Sequence, residues 1–290
     1  MTRESRKRPT QPGRGSLPLL LPAGAVFLGF FFLPMAGLFL ESFRLYVPGS
    51  IGSSANAPLT FANYVELLTP AFASFFFETL RISLLASLVG LLFAFPLAYW
   101  MTRGLSARWR AIAVGFFVTL MFLSVLVRTY ALELTFGAAG PLRPLLLSLG
   151  ISPNGRGYIE TLVGAGLLHY IVPMATLTLL GTIQNVDPRL VDAAQALGAP
   201  AWKAHLTITL PLCMRGLLAA FLFAFTFSIS AFVIPMILGK GRVLFISNLI
   251  YNRFSEIADY PSGAAISIVL FAVALAIVYV MSHQVLKRWK

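Results

Sequence analysis

Charge is what this sequence is poorest in: Asp, Glu, Lys and Arg make up 11% of its 290 residues, while 58% are hydrophobic. Soluble domains carry about 25% charged residues, so a surface covered against water is excluded. Cysteine is scarcer still. Cys213 stands alone, so no internal disulfide forms and the fold does not depend on an oxidising compartment. It reads as a small buried apolar residue. The three histidines, His169, His205 and His283, are scattered, with no carboxylate or cysteine at ligand spacing, which leaves no metal site. No Gly-x-Ser-x-Gly elbow and no His-Glu-x-x-His helix occurs, so a catalytic constellation is missing. Gly239-Lys240-Gly241 lacks both the glycine spacing and the following Ser or Thr of a phosphate loop. The chain therefore has no nucleotide site of its own, and no cofactor is expected in it.

What the sequence does have is long uncharged runs. Six windows, 17–40, 82–102, 111–127, 161–186, 216–239 and 260–284, contain no Asp, Glu, Lys or Arg. About 20 apolar residues cross the ~30 Å hydrocarbon core, because a helix rises about 1.5 Å per residue. The third window is short and is expected to run on through Arg128 to Leu132. The expectation is an all-α, multi-pass membrane protein with six transmembrane helices. The first window is too long for a signal-peptide core and has no clear small-residue cleavage site before Glu41, so it is expected to remain as an anchor.

Basic residues in short loops favour the cytoplasm. With the N-terminus inside, the inner segments hold Arg3, Arg6, Lys7, Arg8, Arg14, Arg103, Arg108, Arg110, Arg189, Lys203, Arg215, Lys287, Arg288 and Lys290, against Glu4, Asp187 and Asp192. Both termini are thus expected inside. The net charge of +12 follows from this bias and calls for no nucleic acid. Residues 1–16 read as a disordered basic cytoplasmic arm touching anionic lipid. The first transmembrane helix occupies 17–42 and a periplasmic loop 43–72, in which 61–68 lies along the interface. A transmembrane core fills 73–286, and 287–290 is a cytoplasmic tail. In the outer loop at 136–157, Leu145-Leu146-Leu147 follows two prolines and reads as a short packed or interfacial helix.

The inner segment at 185–215 is different in kind. It is rich in helix formers yet punctuated by Pro188, Gly198, Pro200 and Pro211. Pro188 suits a helix start. Residues 189–197 form one short helix, and Gly198 can take the left-handed conformation that ends it. Pro200 then opens a second, 201–207. Two short helices at an angle make a docking element rather than a simple turn. Its residues are Asp192-Ala193-Ala194, three more, Gly198, nine more, then Ile208-Thr209-Leu210-Pro211. This resembles the coupling-loop motif of binding-protein-dependent ABC importer permeases: Glu-Ala-Ala, three residues, Gly, nine residues, Ile-x-Leu-Pro. Asp192 stands where that family has Glu, keeping the charge on a side chain one methylene shorter.

Within the family, Arg128-Thr129-Tyr130-Ala131 is similar to a stretch of the spermidine/putrescine (polyamine) permeases. So are Phe232-Val233-Ile234-Pro235 through Leu238-Gly239, Asn248-Leu249-Ile250, and Tyr260-Pro261-Ser262-Gly263-Ala264-Ala265. Many members carry an acid where this chain has Ala231. The resemblance covers roughly residues 60–285 and implies the type I importer permease fold in the bacterial inner membrane. It also implies partners: a dimer of cytoplasmic ATPases that bind ATP and Mg, a second permease, similar or identical, and a periplasmic or lipid-anchored solute-binding protein. Asp192, Ala193, Ala194, Gly198, Ile208, Leu210 and Pro211 would form the ATPase-coupling loop. The substrate implied is a polyamine, with another organic cation, an amino-acid-like compound or an organic anion as alternatives.

Ionisable residues inside spans are costly and hence functional candidates. Glu78, Arg128, Tyr130 and Glu133 are the candidate substrate path. Against that stand simpler readings. Glu78 and Arg81, three apart, can pair on one helical face, and Arg128 can snorkel to the outer boundary. Glu133 and Glu160 are expected to be solvated or to contact the binding protein, and His169 to be a hydrogen-bonded packing residue. The rival class is a secondary transporter driven by an ion gradient, which requires paired broken helices at the midplane and no docking loop.

Overall fold

A computed structural model describes residues 17–54 and 57–288. The arm at 1–16 and the last two residues of the tail lie outside that range. Among the described residues the chain is helical, with one isolated bridge between Arg44 and Leu59 and no named strand. "Inner" denotes the end that carries 185–215, following the charge reading above.

The first window becomes α1 (Leu17–Phe27) and α2 (Leu33–Glu41), joined by a π-helical turn at Leu28–Phe32. None of its residues from Leu21 to Glu41 that enter the span is buried. It packs against the last helix through α2, and Glu41 at its end accepts the Ser53 N–H and hydroxyl from the following loop. After α3 (Ala62–Glu66) comes α4 (Pro70–Arg103), 34 residues long. At 1.5 Å per residue that is about 50 Å, more than a bilayer core, so α4 starts well before the uncharged window at 82.

The third span departs from expectation. It is not one helix but α5 (Ala107–Phe122) and α6 (Val125–Phe136), bent by 91°. Leu123 and Ser124 are extended between them, and neither is Pro or Gly. The break is set by tertiary packing, because α6 turns to lie against later helices. The short α7 (Arg143–Ser148) carries the three leucines, and α8 (Arg156–Gln184) is the fourth span. The inner segment forms α9 (Arg189–Ala196), α10 (Ala201–Ala204), a π-helical turn at His205–Thr209 and α11 (Leu210–Leu212). The second docking helix is therefore longer than 201–207. It runs to Leu212 and meets α12 (Met214–Ser230) at 73°.

The fifth window also breaks, at Ala231 and Phe232, between α12 and α13 (Val233–Leu238). Such a break strips carbonyls of helical partners, which is expensive in lipid. Here Pro235 leaves the Ala231 carbonyl without its helical donor, and α14 (Ile246–Tyr251) supplies one: Ser247 Oγ donates to it at 2.6 Å, while Asn248 Nδ2 joins the Met236 N–H on the Phe232 carbonyl, at 3.0 Å. A π-helical turn, Asn252–Glu256, leads towards α15 (Tyr260–Arg288), the last span. Among the described residues, four unbroken helices are long and apolar enough to cross a membrane, or six if each bent pair counts as one.

The body is built on the α4–α8 crossing, with α12 laid across both. Its outer half is packed with Ile82, Val163, Leu167, Ile171 and Leu238; its inner half with Ala98, Met101, Leu179, Ile183 and Ala220. Gly90 makes the crossing possible. A Cβ there would sit 2.4 Å from Ile171 Cγ2. Small residues admit this close approach, since packing rather than the hydrophobic effect holds helices together in lipid.

Candidate functional site

The inner segment is built by local rules. Asp187 Oδ1 accepts the Arg189 N–H at 3.0 Å, satisfying one orphan donor at the start of α9. At its end Gly198 takes φ 90°. The Gly198 N–H donates to the Gln195 carbonyl at 2.9 Å and the Ala199 N–H to the Ala194 carbonyl at 3.0 Å. That is the Schellman termination, which requires a left-handed residue. Pro200, extended at ψ 149°, then starts the second docking helix.

What this geometry presents is apolar. Val191 and Ala204 are buried, holding the two helices together and to the body. Leu190, Leu197, Trp202 and Leu206 project outward, Leu197 at 91% exposure. Of the motif residues, Asp192, Ala193 and Gly198 are exposed, and Ala194, Ile208, Leu210 and Pro211 are half-buried where the segment re-enters the body. The His205 ring packs edge-on against Tyr99 of α4, 4.8 Å between centroids. Arg103, the last residue of α4, donates to the carbonyls of Ile183, at 2.9 Å, and of Val186. It closes the C-terminus of α8, where a cation is favoured. Sequence reasoning missed this brace: Arg103 reads only as a topology charge until α4 and α8 are known to cross.

The outer candidates are placed differently from expectation. Glu78 is buried on α4 and does not pair with Arg81. Arg156 Nη2 reaches Glu78 Oε1 at 2.8 Å, and Arg81 Nη2 reaches Glu160 Oε2 at 2.6 Å. Arg156 also touches Glu160 at 3.3 Å. The four charges form a ladder across α4 and α8, because a crossing helix can align opposite charge on both partners. Glu160 is thus occupied within the chain, and so is Glu133, whose Oε1 pairs with Lys240 Nζ at 2.7 Å. Lys240 itself is held at φ 49°.

Arg128 is 7% exposed, wedged between α6, α8 and α13, with its guanidinium 5.2 Å from the Tyr170 ring centre. It does not snorkel. The adjoining space is about 10 Å³, enough for one water at most, so no solute meets Arg128 in this conformation. Tyr130, two residues on, faces out and is exposed. His169 is exposed on α8 rather than packed through a hydrogen bond. Among the described residues no group of three potential metal ligands occurs.

Both marks of the rival class are informative here: two helix pairs are broken, yet a built docking segment is also present. Comparison with known proteins decides between them. The family model for the binding-protein-dependent transport system inner membrane component matches residues 90–290. The chain belongs to that family. It is an ABC importer permease, a multi-pass protein of the inner membrane. A spermidine/putrescine transport system permease protein of Haemophilus influenzae is 30% identical over 236 residues, 80% of this chain and 82% of that one. An inner membrane ABC transporter permease protein of Escherichia coli is 27% identical over 283 residues, 92% of this chain and 90% of that one. Among solved structures, a bacterial alginate ABC transporter matches with a TM-score of 0.71 at 22% identity, covering 94% of each chain. At that identity the match concerns the fold.

Proposed function

We propose that this permease carries polyamines inward and that residues 185–215 couple it to a separate ATPase. The observation that carries the coupling half is the exposed apolar face of α9 and α10, Leu190, Leu197, Trp202 and Leu206, at the basic inner end of a membrane protein. Apolar patches rimmed by polar residues mark partner surfaces. A helix pair capped by Gly198 is rigid enough to transmit a push. Closure of the ATPase pair on ATP draws two such segments together and opens the cavity outward, and hydrolysis resets it. A second permease, similar or identical, completes the path, and a solute-binding protein delivers to the outer mouth.

The polyamine half rests on the identity to spermidine/putrescine permeases over four-fifths of the chain and on the motif residues at 128–131, 232–239 and 248–265. Glu78, Arg128, Tyr130 and Glu133 stay as path candidates for other states of the cycle, in which the ladder and the Lys240 pair would open. Gly198→Asp tests the coupling half. The variant is expected to stay in the membrane and to lose both uptake and ATPase co-purification. Normal uptake by that variant would refute the role assigned to 185–215.

A further inference from the structure

Almost every outer acid in this chain is already spoken for. Glu41 lies against Arg44, Glu66 and Asp259 against Arg253, Glu78 and Glu160 against Arg156, and Glu133 against Lys240. Among the described residues, Glu256 is the outer acid with no cationic partner. Its contact is the Asn252 side-chain amide, which donates to Oε2. A carboxylate held by one amide keeps most of its acceptor capacity free.

Glu256 lines a cavity of about 370 Å³ with Phe75, Phe232, Tyr251 and Asn252, and neither Lys nor Arg contributes to its wall. That volume falls within the size of small-molecule sites. The Phe232 and Tyr251 rings lie 4.7 Å apart at 40°, giving two π-faces at one corner. Phe232 sits at the helix break, and its position is fixed by the Asn248 bond to its carbonyl. Aromatic faces, a free carboxylate and an amide in one wall suit an alkylammonium group, whose charge is drawn to ring faces and carboxylates and whose methylenes pack on the rings. The outer placement follows from the loop at 43–72, whose Tyr46 hydroxyl donates to the Ile257 carbonyl and whose Gly52 N–H donates to Ala258.

We infer that the cavity between α13 and α14 is an entry subsite for one terminal ammonium of a linear polyamine, with Glu256 supplying charge and Tyr251 and Phe232 the aromatic wall. This rests on the polyamine reading and names where in this chain it is met.

The test uses the assembled transporter with its ATPase and binding protein in proteoliposomes, with radiolabelled putrescine at sub-saturating concentration. Initial uptake is expected to fall roughly 2- to 30-fold for Tyr251→Leu, the range set by cation–π attraction, and to stay near wild type for Tyr251→Phe. Glu256→Gln should lower uptake and flatten its dependence on ionic strength, with Glu256→Asp recovering part of the loss. Glu256 is solvent-exposed, so its variants fold even if a Tyr251 change does not. Wild-type uptake of putrescine with unaltered Glu256→Gln and Tyr251→Leu overturns the subsite alone. Absence of putrescine uptake by the wild type overturns the polyamine reading and the subsite with it.

Discussion

At the scale of single residues, the helix break at Ala231 and Phe232 shows how much depends on one amide. Asn248 closes α14 by accepting the Phe245 N–H at 3.1 Å and, through its other atom, holds the Phe232 carbonyl. Leucine at this buried position would strand the Phe245 N–H, while the Phe232 carbonyl keeps the Met236 N–H. An unsatisfied buried polar group costs about 1–3 kcal/mol, so Asn248→Leu should lower the thermal midpoint of the detergent-solubilised protein, read by tryptophan fluorescence. An unchanged midpoint would mean that the break is held by something else. Residue pairings were the least legible part of the sequence. Glu78 and Arg81 share a helical face and look like partners. Yet Arg156 and Glu160, some eighty positions later, are brought closer by the α4–α8 crossing. A three-residue spacing says which charges can meet along one helix and nothing about what a second helix brings.

At the scale of elements, legibility follows the presence of local punctuation. The ends of α9 and the start of α10 could be read because Pro188, Gly198 and Pro200 each impose a backbone conformation; Gly198 does so at φ 90°. The 91° break between α5 and α6 could not, since Leu123 and Ser124 carry no such constraint. Nor could the full length of α4 be read, because its first turns fall outside the uncharged window. The α4–α8 crossing offers a test of how tightly these elements are fitted. Gly90→Ala places a methyl 2.4 Å from Ile171 Cγ2, and overpacking of this kind costs about 1–3 kcal/mol. Ile171→Ala removes the clashing group, so the double variant should be less destabilised than the sum of the two single changes. Strict additivity of the thermal shifts would show that the two helices do not meet there.

At the scale of the whole molecule, hydropathy and charge defined a multi-pass membrane protein, the segment at 185–215 pointed to a partner, and the family match over 90–290 made it an importer permease. The first helix is unburied from Leu21 to Glu41, and the inner segment presents Leu190, Leu197, Trp202 and Leu206, the face we propose for the ATPase. The central claim is that transport runs on ATP hydrolysed by another chain through the inner segment. The direct measurement is putrescine uptake into proteoliposomes holding this permease, its second permease, the ATPase pair and the binding protein. ATP and an imposed ion gradient are supplied separately. Uptake with ATP alone, lost in Gly198→Asp, is the predicted result. Uptake driven by the gradient without ATP, and indifferent to Gly198→Asp, would contradict it.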